Sequence, residues 1–186
     1  MSRLLLVDGS NLLFQMFFGM PARITGRDGR AMQGTLGFVG ALGRIRCMTQ
    51  PTHMAVLFDG EHPNDRTALD GAYKANRQDY AQVPDEDSPF SQLPDICRAL
   101  DFMGIRHTEI AEGETDDAIA AYARTLPRGW ELVISSFDSD FFQLISDRIS
   151  VLRYRGDRTV LWDPARLREK YGIDPGQYVD FKETLI

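Results

Sequence analysis

The sequence predicts an α/β domain with a central, mostly parallel sheet flanked by helices, and three observations carry that prediction. Apolar runs bounded by turn residues recur at Arg3–Val7, His53–Phe58, Ile105–Ile110 and Glu131–Ser135. Stretches of helical pattern separate these runs, which is the alternation of parallel strands joined by crossover helices. The runs are also too apolar for a half-exposed antiparallel sheet, as in Ala55-Val56-Leu57-Phe58, so both faces should be covered. With 186 residues, 43% hydrophobic and 26% charged, the chain can bury one core and is read as one domain over 1–186.

The helices follow from local signals. Thr35 to Met48 carries Gly34, Gly37, Gly40 and Gly43 at spacing three, a small-residue stripe expected to let the helix backbone approach the sheet. Ser88 to Met103 reads as a helix with a Ser cap, Pro89 at its first position and Gly104 as its stop. Ala118–Arg124 reads as another, opened by Asp116 and Asp117. Ile149–Tyr154 and Thr159–Trp162 flank Arg155-Gly156-Asp157-Arg158 as a hairpin, and Asp163, Pro164 and Gly172 bracket a short helix, Ala165 to Tyr171. Two stretches have no clear assignment: Gly19 to Gly34, rich in Gly and Arg, and the polar run Gly60 to Asp87. Loops of that length are usually functional or mobile.

Composition narrows the class. No signal-peptide apolar region and no membrane-length run is present, so the protein is expected in the cytoplasm. Cys47 and Cys97 lie far apart in helical segments without CxxC spacing and read as reduced core residues. His53, His62 and His107 sit near no candidate nucleophile and read as structural or exposed. The formal charge of −6 argues against a nucleic-acid partner, but seven of the 27 acids belong to one constellation; without them 20 acids face 21 bases. Cations bound at the seven would leave the rest of the surface free to meet a polyanion.

That constellation is the main functional signal. Three strands lead into an acid: Val7-Asp8, Phe58-Asp59, and the run Val133 to Phe137 before Asp138, with Asp140 two further on. A fourth, ending at Ile110, is followed by Glu114, Asp116 and Asp117. Ligands of open parallel sheets bind outside the carboxyl ends of strands, so these side chains should converge. Taken singly, Asp8-Gly9 and Asp59-Gly60 are explained as turns, and Asp116 and Asp117 as dipole-favoured acids at a helix start. Turn chemistry does not explain why every strand delivers its acid at the same end. So many like charges need cations among them, and oxygen-only ligation suits Mg²⁺ or Mn²⁺. Such a cluster can hold two ions in the arrangement that clamps a phosphodiester. A phosphatase of the DxD type is disfavoured by Ser10, an adhesion site of the DxSxS type by Leu12, and no P-loop, GxGxxG or Ser-His-Asp arrangement is found.

Five segments in order, Leu4–Phe14 (LLLVDGSNLLF), Val56–Gly60 (VLFDG), Tyr73–Arg77 (YKANR), Gly113–Ala120 (GETDDAIA) and Phe137–Leu144 (FDSDFFQL), resemble the bacterial 5′-3′ exonuclease or flap endonuclease family, the nuclease module also found at the front of DNA polymerase I. Trp162–Phe181 resembles the segment that follows them, so the similarity spans essentially the whole chain. It implies a PIN-like fold and cleavage of DNA with a free 5′ end or flap, using two Mg²⁺ ions. It assigns Asp8, Asp59, Glu114, Asp116, Asp117, Asp138 and Asp140 to the metals or their surroundings. Lys74 and Arg77 match basic residues that engage the scissile phosphate, and Tyr73 is expected to stack on a terminal base. In isolation that pentapeptide is also explained as a solvated helix face. Arg23, Arg27 and Arg30 are candidate backbone contacts. A nucleoid-associated location and a DNA polymerase as separate chain or neighbouring domain are further expectations.

Two departures matter. Many relatives carry a Gly and a Lys where this sequence has Phe137 and Ser139, so one positive charge is expected to be lost there. The family also continues beyond Ile186 with further carboxylates and a helix-hairpin-helix element, so the second ion is expected to bind weakly to these 186 residues, with Mn²⁺ as a substitute. The rival readings are a catalytically weak metal- and DNA-binding module and a PIN-type ribonuclease.

Overall fold

The computed structural model describes residues 2–60, 88–111 and 113–184. Strands β1 (Ser2–Asp8), β2 (His53–Asp59), β3 (Arg106–Ile110), β4 (Trp130–Ser135), β5 (Ile149–Arg153) and β6 (Val160–Trp162) form one sheet in the order β3-β2-β1-β4-β5-β6. All neighbours are parallel except β5 and β6, which form the antiparallel hairpin expected around Arg155–Arg158. The chain winds outward from β1 to β3, then returns to β4 on the other side of β1. The topological switch therefore lies between β1 and β4, where the strand ends leave a crevice.

Alternation along the strands feeds two cores. Leu5 and Val7 point to one side, under helices α1 (Gly9–Gly19), α2 (Gln33–Thr49) and α3 (Leu93–Phe102); Leu6 points to the other, under α4 (Thr115–Arg124), α5 (Pro164–Tyr171) and α6 (Tyr178–Thr184). Phe38 of α2 stacks on Phe58 at 5.9 Å in the first core, and Phe142 packs on Trp162 at 4.6 Å in the second. Burial on both faces is why the strands read as continuous apolar runs rather than alternating ones. Among the described residues no helix is long and apolar enough to cross a membrane.

Several expectations are corrected. Ser88 to Met103 is not one helix: a 3-10 turn, Pro89–Gln92, precedes α3. Pro94 explains the break, because its ring would clash with the carbonyl of Phe90 in a continuous helix and it has no N–H to donate there. The buried Gln92 at the junction accepts the Thr35 N–H at 2.8 Å and so caps α2, whose own N-cap residue, Met32, makes no side-chain cap. The glycine stripe of α2 does not face the sheet. Steps of three residues turn about 300°, so each glycine falls back by about 60° around the helix. Gly34 lies against Gln92 and Phe17 and Gly37 against Met16 and Met20, whereas among the described residues nothing lies within 4 Å of a Cβ at Gly40 or Gly43. Cys47 is exposed rather than in the core, while Cys97 is half-buried and burial pushes its thiol pKa up. The Gly19–Gly34 stretch closes on itself through a Thr25–Ala31 bridge and a Met32 N–H to Ile24 bond of 2.7 Å.

The glycines after Asp8 and Asp59 answer a different demand from turn formation. Neither has positive φ. A Cβ at Gly9 would lie 2.5 Å from Phe58 Cε1 and 2.8 Å from the Leu57 carbonyl oxygen; at Gly60 it would lie 2.5 Å from the Ile110 carbonyl oxygen. Backbone passes backbone at these two points, and no side chain fits between. Gly9→Ala should therefore cost about 1–3 kcal/mol of stability by overpacking. Gly43→Ala, in an open helix position, should add about 0.5–1 kcal/mol. Urea unfolding of the two variants beside wild type checks the opposite signs, and equal effects would contradict this packing.

Candidate metal centre

Asp8 ends β1 and caps α1. Its Oδ1 accepts the Asn11 N–H at 3.0 Å, and its Oδ2 accepts the Ser136 hydroxyl at 2.8 Å. Ser136 follows β4, so this carboxylate bridges the switch point. The Asn11 side-chain oxygen accepts the Phe137 N–H at 3.1 Å, and the Ser136 hydroxyl also accepts the Asp138 N–H at 3.1 Å. On the other flank the Ser10 hydroxyl accepts the Asp59 N–H at 2.9 Å, and Asp59 Oδ1 accepts the Thr115 N–H at 3.0 Å. Gly60 donates to the Ile110 carbonyl at 3.2 Å. One hydrogen-bonded seam thus joins the loop after β4, the end of β1, the start of α1, the end of β2 and the start of α4.

Above the seam lies a cleft of about 430 Å³ lined by Asp8, Asp59, Glu114, Asp116 and Asp138, with Ser10, Asn11 and Thr115 between them. Phe14 and Phe90, edge to face at 5.4 Å, form its apolar wall. Five of the seven acids expected to converge do so. Asp117 is exposed and does not line the cleft. Asp140 does not line it either: its N–H donates to Asp138 Oδ1 at 2.8 Å, and its own carboxylate pairs with the Lys182 ammonium of α6. That pairing holds the Lys182 pKa above its usual value. Arg23, Arg27 and Arg30 are all exposed between α1 and α2. Tyr73, Lys74 and Arg77 lie outside the described residues.

The donor set fits a hard divalent cation. Its candidate ligands are oxygens only, and Mg²⁺ takes one or two carboxylates and fills its remaining positions with water. Among the described residues no three His, Cys, Asp or Glu side chains close on one point tightly enough to cage an ion. The oxygens of Asp8, Asp59 and Asp138 instead accept nearby N–H and O–H donors. Thr115 lines the cleft, and its buried hydroxyl has no hydrogen-bond partner among the described residues, which leaves one polar group at the wall unsatisfied by the protein.

Asp8 carries the electrostatic cost of this arrangement. Burial pushes its pKa up to about 6, the bonds from Asn11 and Ser136 pull it down, and the charges of Asp59 and Asp138 add to the rise.

The residues missed in the sequence are those that hold the acids: Ser10, Asn11, Ser136 and Thr115. A polar run such as Asp8-Gly9-Ser10-Asn11 carries turn signals whether or not its side chains reach across strands. Lys182 had no signal at all, since its partner is 42 residues away.

A doubly wound sheet with a carboxylate-lined cleft at its switch point defines an α/β domain of the kind that assembles a ligand site from loops of distant sequence. The chain belongs to the family described as the 5′-3′ exonuclease, N-terminal resolvase-like domain, which matches residues 3–172. It is 37% identical over 183 residues to the thermostable DNA polymerase I of Thermus thermophilus, a match covering 97% of this chain and 21% of that protein. It is 32% identical over 187 residues to a Mycobacterium tuberculosis 5′-3′ exonuclease, covering 92% of this chain and 58% of that one. The chain thus spans about a fifth of the polymerases and somewhat over half of the exonuclease. Among solved structures, the T5 D15 protein co-crystallised with metal ions superposes with a TM-score of 0.72 at 21% identity, covering 97% of this chain and 65% of that one. The T5 D15 flap endonuclease in a complex with DNA and metal ions gives a TM-score of 0.67 at the same identity and coverage. The shared fold is PIN-like.

The raised Asp8 pKa has a signed consequence. A carboxyl whose folded pKa lies above its ordinary value of 3.8 binds its proton more tightly when folded, so ionising it subtracts stability as pH rises from about 4 through about 6. In chelator, Asp8→Asn should melt above wild type at pH 7–8, and the difference should vanish near pH 4. Melting curves across that range test this; a variant less stable than wild type at pH 8 would contradict it.

Proposed function

We propose that this chain is the catalytic part of a metal-dependent nuclease that hydrolyses DNA phosphodiester bonds near free 5′ ends or flaps. The observation that carries the reading is the convergence of Asp8, Asp59, Glu114, Asp116 and Asp138 on one cleft at the switch point of the sheet. Membership of the exonuclease family and the metal- and DNA-bound T5 neighbours support it.

Divalent cations held by these carboxylates, Mg²⁺ in the first place and Mn²⁺ as substitute, would supply Lewis acidity toward the phosphodiester and a nucleophilic water. The chain's own residues do the rest. Asp8 and Asp59 are fixed in orientation by Asn11, Ser136 and Thr115, so the site is arranged before substrate arrives. Two ions, with Asp117 and Asp140 as further ligands or partners of bound water, complete the reading.

The Phe14 and Phe90 wall excludes water from one side of the cleft. Lys74 and Arg77 are proposed to stabilise charge on the scissile phosphate, Tyr73 to stack on an unpaired base, and Arg23, Arg27 and Arg30 to hold the backbone. A DNA polymerase, as neighbouring domain or separate chain, is the proposed functional companion.

Labelled 5′-flap, nicked, single-stranded DNA and RNA substrates, incubated with Mg²⁺, Mn²⁺ or chelator, test the proposal. Cleavage should require metal and prefer DNA with a free 5′ end. Asp138→Asn should cut the rate by orders of magnitude while DNA binding persists or tightens. Lys74→Ala should lower the single-turnover rate roughly 10²-fold with a smaller change in binding. Undiminished hydrolysis in excess chelator would overturn the mechanism. Tight metal-dependent DNA binding without turnover would favour a binding module instead.

A further inference from the structure

The turn Asp138-Ser139-Asp140 holds two carboxylates and no cation of its own, yet its two acids face different ways. Asp138 lines the cleft; Asp140 is paired with Lys182, which reaches it from α6, 42 residues along the chain. The backbone joins the two acids closely, since the Asp140 N–H donates to Asp138 Oδ1 at 2.8 Å. The 3-10 turn that Asp140 opens, Asp140–Leu144, is anchored to α6 by Phe142 against Tyr178 at 5.3 Å. Both partners of the ion pair are nearly half exposed, at 44% for the Lys182 side chain and 49% for Asp140. The pair is therefore solvent-accessible and exchangeable rather than a buried structural bridge.

We propose that Lys182 is the built-in counter-ion of Asp140, a positioning residue that keeps this carboxylate out of the cleft and lowers the site's affinity for divalent cations. The inference rests on the metal-binding reading of the cleft. A dication entering near Asp138 meets a competing ammonium on the adjacent acid. It gains Asp140 only by displacing that ammonium, and until then it is repelled by the same charge. The positive charge expected to be missing at position 139 is thus present after all, brought to the turn from a separate helix and able to leave it.

The test is a double-mutant cycle read as Mn²⁺ affinity, by calorimetry or by the signal of free Mn²⁺, on the full chain without DNA. Lys182→Met should bind the first Mn²⁺ about three- to ten-fold more tightly than wild type. Lys182→Arg, which keeps the charge and the pair, should stay near wild type. In an Asp140→Asn background the Lys182→Met gain should largely disappear, because the carboxylate it releases is gone. Far-UV circular dichroism on each variant confirms that the fold is retained. Unchanged or weaker binding by Lys182→Met overturns the proposal, as does an equal gain in the Asp140→Asn background. Wild-type protein that binds no Mn²⁺ overturns the metal reading as well, so the two failures are distinguishable.

Discussion

The structure depends on one constraint: several carboxylates must be kept close together at the carboxyl edge of a parallel sheet. Asp8 shows how this is met. It sits half-buried where β1 gives way to α1, takes one bond from the backbone of Asn11 and one from Ser136 across the switch point, and still keeps a pKa near 6. Those two bonds fix the carboxylate but leave its ionisation costly. A divalent cation would remove that cost, which makes metal binding and the stability of this edge two aspects of one electrostatic balance.

The fold serves that edge at every level. Parallel pairing brings the ends of β1, β2 and β4 level with one another, and the crossover helices bury both faces so that the sheet stays rigid beneath the site. Gly9 and Gly60 let the chain turn away from Asp8 and Asp59 where another strand's carbonyl leaves no room for a Cβ. Asp59 is then tied to α4 through Thr115, which brings Glu114 and Asp116 to the same cleft. Acids distant in sequence become neighbours through backbone geometry and three short polar side chains, those of Ser10, Asn11 and Ser136.

Much of this was legible in the residues alone. The four parallel strands, the hairpin, and the helix capped by Asp163 and closed by Gly172 have local signals strong enough to survive tertiary context, and the Asp163 side chain does accept the Arg166 N–H at 2.8 Å. The convergence of acids followed from strand ends sharing one edge, and it accounts for five of the seven. The rest depended on interactions without local signature. Pro94 outweighed an otherwise helical run from Ser88. The α2 glycines were read by spacing, whereas their environment is set by rotation around the helix axis, which carries Gly40 and Gly43 away from the contacts of Gly34 and Gly37. Cys47 sits in a helix whose exposed side could not be told from its buried one without knowing what covers it. Asp140 was expected in the cleft because nothing in the sequence pairs it with Lys182.

The central claim is that these carboxylates form one metal centre, and crystals grown with Mn²⁺ test it most directly through anomalous diffraction. A strong anomalous peak is expected in the cleft, within coordination distance of one or more of Asp8, Asp59, Glu114, Asp116 and Asp138. Absence of a peak there at millimolar Mn²⁺, or a peak only at some other group of acids on the surface, would contradict it.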